Sequence, residues 1–254
     1  MAGMIAQPQC LLVIPSFRDA ARLAPFLTEL MQKLPAGFCI RVVDDGSGPQ
    51  AAAEAMALVN KTRTDCAKDG GPDLLDPLML PENLGKGAAV YSGWRAGPTT
   101  DCLAFVDADG AVSADEVLRI WNSWPELKAD AVIASRVKML GRDVKRLAAR
   151  HYAGRVFATL VSGLTGLEVY DSQCGFKLLR REAFLNADRL GLEASRLAFD
   201  VELLVTLARS NCRIVEFPVD WKDVAGGTVS LSRHAVPMFC ELLKIRRRHG
   251  RLES

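Results

Sequence analysis

The sequence predicts an α/β protein with a mostly parallel central sheet flanked by helices. Short apolar runs alternate with segments of helical period through the N-terminal half of the chain. Polar or turn-forming residues follow each run, which is typical of buried strands in a parallel sheet. Of the 254 residues, 49% are hydrophobic, which is enough for a large core. We therefore expect right-handed crossovers, with the functional loops gathered at the carboxyl edge of the sheet.

Six apolar runs are predicted to be strands. They cover residues 10–14, 38–43, 77–80, 103–106, 130–134 and 213–219. Pro15 and Ser16 stop the first run, and the turn-forming cluster 44–48 stops the second. The polar stretch 61–76 contains two glycines and a proline in a row and is predicted to be an exposed loop.

Helices are predicted where apolar residues recur every three or four positions. They cover 19–34, 49 to about 60, 88–96, a segment that begins near 113, 143–164 and 234–248. The run 197–204 is also helix-like. Ser47 and Ser113 are candidate N-caps, whereas Gly85 and Gly87 are candidates for a tight turn.

Composition and charge exclude several classes of protein. The formal net charge of +2 provides no global field for binding nucleic acid. The seven cysteines are scattered and lack a C-x-x-C pair, which favours a reducing cytosol over disulfides or a zinc site. Residues 1–9 show no signal-peptide pattern, and no apolar run approaches the ~18 residues of a membrane span. We therefore expect a cytoplasmic protein that does not cross a membrane.

The clearest chemical signal is Asp107-Ala108-Asp109, directly after the strand predicted at 103–106. Two acids separated by one residue at a strand's carboxyl end can both reach a hard divalent cation bound to a diphosphate. Asp109 could instead serve only to end the strand before the helix that begins near Ser113. The pattern therefore gives a metal-diphosphate hypothesis that needs support from other stretches.

Other strand ends supply that support. Charged or turn-forming residues follow five predicted strands or loops, at 15–19, 44–47, 83–87, 107–110 and 135–136. The carboxyl ends of parallel strands meet at one edge of a sheet. Independent turns have no reason to place acids, a lysine and an arginine together there, so this edge is predicted to bind a charged ligand.

Arginines and buried acids mark the second half of the chain. Arg142, Arg146 and Arg150 recur every four residues, a spacing that forms a slowly winding row on a helix and could grip an anionic acceptor. The alternative is a solvated helix face. Asp200 and Glu202 lie in an apolar run, and an acid that must be buried is usually paired or functional.

Together these motifs resemble the family-2 glycosyltransferases. The stretches that carry the resemblance are 42–47, 83–87, 105–111, 135–136, 171–177, 198–202 and 219–221, within a total span of about 10–248. Within the family the sequence is most similar to the polyprenyl-phosphate (dolichyl-phosphate) glycosyltransferases. It resembles their β-glucosyltransferase branch, which uses UDP-glucose, more than the mannosyltransferase branch, which uses GDP-mannose.

The resemblance implies a GT-A (Rossmann-like) fold and inverting transfer of a hexose, glucose in the preferred interpretation, to a polyprenyl phosphate. Asp107 and Asp109 would hold Mg²⁺ or Mn²⁺. The implied nucleotide-sugar site comprises Pro15, Ser16, Arg18, Val43, Asp45, Gly46, Ser47, Lys86, Asp107, Ala108, Asp109 and Arg136. The implied acceptor-phosphate site comprises Arg142, Arg146, Arg150, Gln173 and Lys177. The implied catalytic set is Asp107, Asp109, Arg136, Asp200 and Glu202, the last two as organisers of sugar hydroxyls or of the arginines.

We expect one domain over residues 1–254, with a nucleotide-sugar half at 10–136, an acceptor half at 137–233 and a C-terminal basic amphipathic helix at 234–254. That helix carries Val236, Phe239 and Leu242 and ends in three arginines, which suits the surface of an anionic membrane. The alternative is that its apolar face packs on the domain. The expected partners are a nucleotide sugar, a polyprenyl phosphate, the cytoplasmic face of a membrane and a candidate separate membrane protein, but no nucleic acid.

The chain departs from the family pattern at three places. Pro15-Ser16-Phe17-Arg18-Asp19 stands where many relatives have Pro-x-Tyr-Asn-Glu, Ala111 stands where mannosyltransferase relatives often have a metal-binding glutamine, and 226–228 lacks a lysine. Three alternatives stay open: a mannosyltransferase that uses GDP-mannose, a family-2 enzyme with a soluble or glycan acceptor, and a non-catalytic nucleotide-binding module. No G-x-G-x-x-G follows the first strand, which argues against a dehydrogenase.

Overall fold

Ten strands and eight helices lie in the described part of the chain, which in this computed structural model comprises residues 9–145, 147–193, 197–224 and 231–252. The strands are β1 (Cys10–Ser16), β2 (Phe38–Asp44), β3 (Asp73–Leu74), β4 (Leu78–Met79), β5 (Cys102–Val106), β6 (Ala131–Ser135), β7 (Val144–Lys145), β8 (Phe176–Arg180), β9 (Ile214–Pro218) and β10 (Trp221–Lys222). The helices are α1 (Ala20–Lys33), α2 (Pro49–Asp65), α3 (Lys86–Arg95), α4 (Ala114–Leu127), α5 (Ala148–Thr165), α6 (Arg181–Arg189), α7 (Phe199–Arg209) and α8 (Leu231–His249).

A sheet of eight strands forms the centre of the molecule. Its order is β3-β2-β1-β5-β8-β6-β9, and β4 also pairs with β2. The strands pair in parallel except at β8, which runs antiparallel between β5 and β6. The predicted α/β class with a mostly parallel sheet is therefore confirmed, and β8 is the central strand that the sequence pattern did not reveal. Lys177 interrupts the apolar run of β8, so the sequence pattern did not indicate a strand there. The strand is nevertheless buried at its first four positions.

Apolar side chains of the central strands fill two cores, one on each face of the sheet. In β5, Ala104 and Val106 join the core beneath α1 and α4, whereas Leu103 and Phe105 join the core beneath α3 and α7. This alternation follows from the two-residue period of a strand. Each fully buried leucine or phenylalanine stabilises the fold by about 1.5–3 kcal/mol. Packing on both faces fixes where β5 ends and where the acids after it emerge.

The predicted helix 143–164 is wrong over its first residues. Val144 and Lys145 form β7, which pairs in parallel with Trp221 and Lys222 of β10 in a small second sheet. Leu147 then has extended backbone angles as the residue before α5. Pairing with β10 takes up the backbone groups that a helix would need, so Arg142 lies outside α5.

The two ends of α8 have different environments. Leu242 and Ile245 are buried in the core shared with α7, whereas Val236 and Phe239 are exposed. The C-terminal half of this helix therefore packs on the domain, as the alternative interpretation held, and its N-terminal half leaves apolar surface uncovered. Within the described ranges, none of the helices combines the length and apolar character that a membrane crossing needs.

Candidate active site

The predicted strand ends meet at one edge of the sheet. Ser16 at the end of β1 lies opposite Asp44 at the end of β2, and the amide of Asp45 donates to the carbonyl of Ser16 over 2.9 Å. β5 lies on the other side of β1, in parallel, and Asp107 follows its last residue. The structure thus brings Pro15, Ser16, Asp45 and the Asp107–Asp109 pair to the same edge.

A carboxylate and a glycine join the loop after β2 to the loop before α3. Asp45 accepts hydrogen bonds from the amides of Leu84 (2.9 Å) and Gly85 (2.9 Å), directly before α3 begins at Lys86. Gly46 has φ +66°, and a Cβ at this position would lie 2.1 Å from the carbonyl carbon of Glu82. Only glycine permits this approach. The chain therefore needs Asp45 and Gly46 to hold the loop that presents Lys86.

Ser47 is a loop connector and not an N-cap. Its amide donates to Asp44 Oδ2 (2.9 Å), and its Oγ accepts from the amide of Arg18 (2.9 Å), while Gly48 precedes α2. Arg18 has φ +51°, and its guanidinium lies 5.1 Å from the Phe17 ring centroid. Ser113, by contrast, is the N-cap of α4.

Asp107 forms an ion pair with Lys86. Asp107 Oδ1 lies 2.5 Å from Lys86 Nζ, and each side chain is 30% exposed. Burial lowers the pKa of Lys86, but the nearby carboxylates, Asp107 foremost, outweigh that effect and raise it. The lysine is therefore a fixed positive charge at the mouth of the site.

Asp109 lies beside this pair in a tight turn. Its Oδ1 accepts from the amide of Ala111 over 3.0 Å. Burial, together with the negative charge of Asp107, raises the pKa of Asp109 above that of an ordinary aspartate, and the Ala111 amide only partly offsets this. Two neighbouring carboxylates at the end of a strand are suited to share a cation.

Gly175 lies directly against Asp107, and sequence reasoning did not single it out. The carbonyl of Gly175 accepts from the Asp107 amide (2.9 Å), and a Cβ on Gly175 would lie 2.4 Å from Asp107 Oδ2. The signal for it in the sequence was a glycine immediately before the unrecognised strand β8. Its lack of a side chain leaves the space that the carboxylate occupies.

Arg136 is a second fixed cation at this edge, directly after β6. Its Nε and Nη2 donate to the two carboxylate oxygens of Asp171, over 2.6 and 2.7 Å, and its guanidinium lies 4.8 Å from the Trp221 ring centroid. Burial lowers the pKa of Arg136, but the Asp171 carboxylate outweighs this effect and raises it. Glu216 of β9 accepts from the backbone amides of Tyr170 (2.7 Å) and Asp171 (2.9 Å), and it is a positioning residue that sequence reasoning missed.

Lys177 and Asp200 form a buried pair. Lys177 Nζ donates to Asp200 Oδ1 over 2.5 Å and to the carbonyl of Cys174 over 3.2 Å, and the two side chains are only 3% and 5% exposed. Contrary to the prediction, Lys177 therefore directs its ammonium to Asp200 and does not present it to an acceptor. The reason is that α7 places a carboxylate over β8, and a buried ammonium must keep such a partner.

Glu202 faces a different neighbour from Asp200. Two residues that are two apart in a helix point to different sides. Glu202 is fully buried, bonds to the guanidinium of Arg248 in α8, and lies 3.3 Å from His249 Nε2. The predicted role of Glu202 in ordering sugar hydroxyls or the arginine row is therefore corrected: it attaches α8 to α7.

The predicted row of three arginines along one helix is not present. Arg142 precedes β7, and its Nη1 lies 3.5 Å from Glu116 and 3.7 Å from Asp220. Arg146 lies outside the described residues, and Arg150 is in the first turn of α5. Gln173 donates to the carbonyl of Leu197 over 3.2 Å.

Two of the predicted nucleotide-sugar residues are buried in the protein. Val43 is wholly buried in the core beneath α3, where one of its methyl groups lies close to Gly93. Contrary to the prediction, its side chain offers no surface to a ligand. Ala108 is almost completely buried between the two acids. These residues support the strand ends that carry the polar groups.

Asp107 and Asp109 fit a divalent cation. Asp107 Oδ1 is a buried oxygen that lies 2.5 Å from the Lys86 ammonium, so a positive charge already faces this carboxylate. Asp109 adds a second carboxylate two residues on, and carboxylate oxygens are the ligands that a hard divalent cation prefers. The described residues contain no cluster of three or more histidine, cysteine or acidic side chains suited to a metal. Two carboxylates would therefore share the cation with oxygens of a ligand and of water.

The mostly parallel sheet with one antiparallel strand, and the acidic pair at its carboxyl edge, point to a class of protein: a glycosyltransferase of GT-A fold. The family model described as "Glycosyl transferase family 2" matches residues 11–186. The chain belongs to glycosyl transferase family 2, and the predicted family is confirmed.

Several relatives belong to the predicted branch. The chain is 31% identical to the dolichyl-phosphate beta-glucosyltransferase of Homo sapiens over 261 residues, covering 95% of this chain and 76% of the human protein. It is 31% identical to the same enzyme of Mus musculus, with 95% and 76% covered, and 29% identical to that of Dictyostelium discoideum, with 93% and 73% covered.

Solved structures share the fold at low identity. Glucosyl-3-phosphoglycerate synthase from Mycobacterium tuberculosis, in complex with Mg²⁺ and UDP, aligns with a TM-score of 0.63 at 16% identity over 97% of this chain and 81% of that one. The mannosyltransferase PcManGT from Pyrobaculum calidifontis, in complex with GDP-Man and Mn²⁺, aligns with a TM-score of 0.58 at 16% identity, with 98% and 77% covered. These structures establish the GT-A fold of the chain.

Proposed function

We propose that the protein is an inverting hexosyltransferase that moves glucose from UDP-glucose to a polyprenyl phosphate and gives a β-linked polyprenyl-phosphate sugar. The observation that carries the proposal is the Asp107–Asp109 pair at the carboxyl edge of the sheet, with Lys86 beside it. The similarity to dolichyl-phosphate beta-glucosyltransferases over more than nine tenths of the chain supports the acceptor class.

In this proposal the donor lies along the first strand ends. Pro15, Ser16, Arg18, Asp45 and Ser47 face the nucleoside, because their loops are joined to one another at this edge. Lys86 and Arg136 place fixed positive charge near the diphosphate and the sugar. Such preorganised charges stabilise a developing negative charge without reorganisation during the reaction.

Asp107 and Asp109 would hold Mg²⁺ or Mn²⁺, as the solved structures with Mg²⁺ or Mn²⁺ and a nucleotide suggest for the fold. When bound, the cation would neutralise the diphosphate as it leaves. The two carboxylates must be ionised to do this, and Gly175 keeps the space into which Asp107 projects.

The acceptor needs positioning more than proton transfer. A phosphate oxygen is already ionised at neutral pH and forms the new bond to the anomeric carbon. The bond from that carbon to the diphosphate breaks at the same time, and its electron pair leaves with the nucleoside diphosphate, so no proton moves. Arg150, near the start of α5, and Arg142 are the proposed phosphate contacts, with Gln173 at the edge of the same region.

An exposed apolar stripe suits a lipid acceptor. Tyr152, Val156 and Leu160 recur every four residues on α5 and are 69%, 63% and 40% exposed. α5 packs against α8, whose Val236 and Phe239 are also exposed. We propose that this stripe lies on the cytoplasmic face of a membrane, where apolar side chains can enter the headgroup region.

The test is a transfer assay with labelled nucleotide sugars. Purified protein receives UDP-glucose or GDP-mannose, a short polyprenyl phosphate and Mg²⁺ or Mn²⁺, and the product is extracted into organic solvent. Label in the organic phase from UDP-glucose, absent with Asp109→Asn, is the expected result. Label from GDP-mannose instead would identify the mannosyltransferase alternative. Transfer only to a water-soluble acceptor, or nucleotide binding without turnover, would overturn the proposal.

A further inference from the structure

Two lysine ammoniums at the site lie against one aromatic ring. Lys86 Nζ is 5.0 Å and Lys177 Nζ is 5.2 Å from the centroid of the Phe105 ring. Lys86 Nζ is also 5.4 Å from the Phe199 ring, and the two rings are 5.6 Å apart. A cation within about 6 Å of an aromatic face is attracted to it. Both ammoniums thus share the Phe105 ring, and Lys86 has the Phe199 ring as a second apolar contact.

The two lysines have different direct partners. Lys86 pairs with Asp107 at the mouth of the site, and Lys177 pairs with Asp200 beneath it. Asp200 does not contact Lys86, but the two are joined through the rings: Phe199, the chain neighbour of Asp200, lies against the Lys86 ammonium, and Lys177, the partner of Asp200, shares the Phe105 ring with Lys86. Asp200 also lies in the first turn of α7, where the helix dipole stabilises a carboxylate.

We propose that the buried pair Lys177–Asp200 is a positioning device that keeps Lys86 on the Phe105 and Phe199 rings, so that its ammonium meets the donor diphosphate. This inference rests on the proposed function, because it assigns Lys86 to the diphosphate. Neither Lys177 nor Asp200 touches the ligand; both act through Lys86.

The reason for such a device is a competition for Asp107. A divalent cation bound by Asp107 would repel the Lys86 ammonium, which would then need attraction from another direction. The Phe105 and Phe199 rings, beside the Lys177–Asp200 pair, supply that attraction. Lys177 keeps Asp200 paired, since an unpaired buried carboxylate would draw the nearest ammonium into direct contact and away from the ligand.

The experiment compares binding of UDP and UMP in the presence of Mn²⁺ by calorimetry. Only UDP carries the second phosphate, so the ratio of the UDP affinity to the UMP affinity reports on the contact with Lys86. We expect Lys86→Met to lower this ratio, and Asp200→Asn and Lys177→Met each to lower it by roughly 5- to 50-fold. In combination with Lys86→Met, neither change should lower it further, because all three act on one contact.

Two further variants keep the test decisive. Asp200→Asn with Lys177→Met removes both charges together and leaves no unpaired buried charge, so it should fold and still show the lowered ratio. Arg248→Met is the matched control, since it removes the guanidinium partner of Glu202, a buried acid in the same turn of α7 that keeps His249 as a neighbour. It should lower the melting temperature and leave the ratio unchanged.

The outcomes separate this inference from the proposed function. A wild-type protein that binds neither UDP nor GDP with Mn²⁺ would overturn both. The wild-type protein could instead bind UDP with a ratio of UDP to UMP affinity that depends on Lys86. If Asp200→Asn, Lys177→Met and the double variant then leave that ratio unchanged, this inference alone is overturned. The inference would also be overturned if combining Asp200→Asn with Lys86→Met lowered the affinity ratio by the product of the two single effects.

Discussion

The backbone carbonyl of Gly175 accepts a hydrogen bond from the amide of Asp107, and a Cβ on Gly175 would lie 2.4 Å from Asp107 Oδ2. The contact joins the end of β5 to the residue before β8, the antiparallel strand that pairs with it. The position of the first carboxylate is thus set by an adjacent strand as well as by its own.

Gly175→Ala is expected to displace the Asp107 carboxylate, because real Cβ atoms do not approach oxygen this closely. We expect kcat/KM for sugar transfer to fall by at least about 100-fold, as when one charge-stabilising group is lost. Steady-state kinetics with the donor identified in the transfer assay measures the effect. Gly163→Ala in α5 is the control: its Cβ would meet nothing within 4 Å, so activity should stay unchanged. An active Gly175→Ala enzyme would contradict the placement of Asp107.

The strand-end acids could be predicted because local patterns determine them. The apolar run before Asp107 and the turn-forming cluster after Val43 each indicate a buried strand that ends at a known residue. Once parallel pairing is assumed, these ends must meet at one edge. The predicted edge is therefore the edge that the structure shows.

Contacts between distant segments could not be predicted in the same way. Lys177 resembles an exposed lysine until α7, 23 residues later, places Asp200 over it. Arg142 fits a helical spacing until β10, far along the chain, pairs with β7 and prevents that helix from starting early. Local periodicity contains no information on either partner, so both roles needed the structure.

Asp109→Asn is expected to abolish activity and yet stabilise the metal-free protein at neutral pH. Because the pKa of Asp109 is raised in the folded state, the native protein binds this proton more tightly than the unfolded chain does. The resulting stability is complete below the ordinary aspartate pKa of 3.8 and is lost as pH rises through the raised folded value. Asparagine cannot ionise, so the variant should melt at a higher temperature than wild type near pH 7.

Thermal unfolding in EDTA from about pH 4 to about pH 8 checks this prediction. The difference in melting temperature between the two proteins should narrow toward acid pH. A difference that stays constant across the range would show that Asp109 titrates as an ordinary exposed aspartate.

Asp171→Asn should release Arg136 from its bidentate pair. The Arg136 guanidinium is largely buried, and losing the carboxylate leaves it without its anionic partner. We expect a lower melting temperature and a fall in kcat of about 10- to 100-fold, since one fixed charge becomes misplaced. Asp76→Asn breaks the exposed pair with Arg63 and should change neither quantity measurably. Full activity in Asp171→Asn would remove Arg136 from the proposed donor site.

Val156→Glu places a charge in the middle of the exposed stripe on α5, where the neighbouring residues Tyr152 and Leu160 are also uncovered. We expect affinity for vesicles of phosphatidylcholine and phosphatidylserine to fall by about tenfold or more, since one valine no longer enters the lipid. Sedimentation with vesicles measures this. Leu185→Glu makes the same change at an exposed leucine of α6 and should leave binding intact. Because the stripe is proposed to contact the lipid, the KM for polyprenyl phosphate should rise in Val156→Glu and not in Leu185→Glu. If both variants weaken vesicle binding equally, the added charge, and not this surface, determines membrane binding.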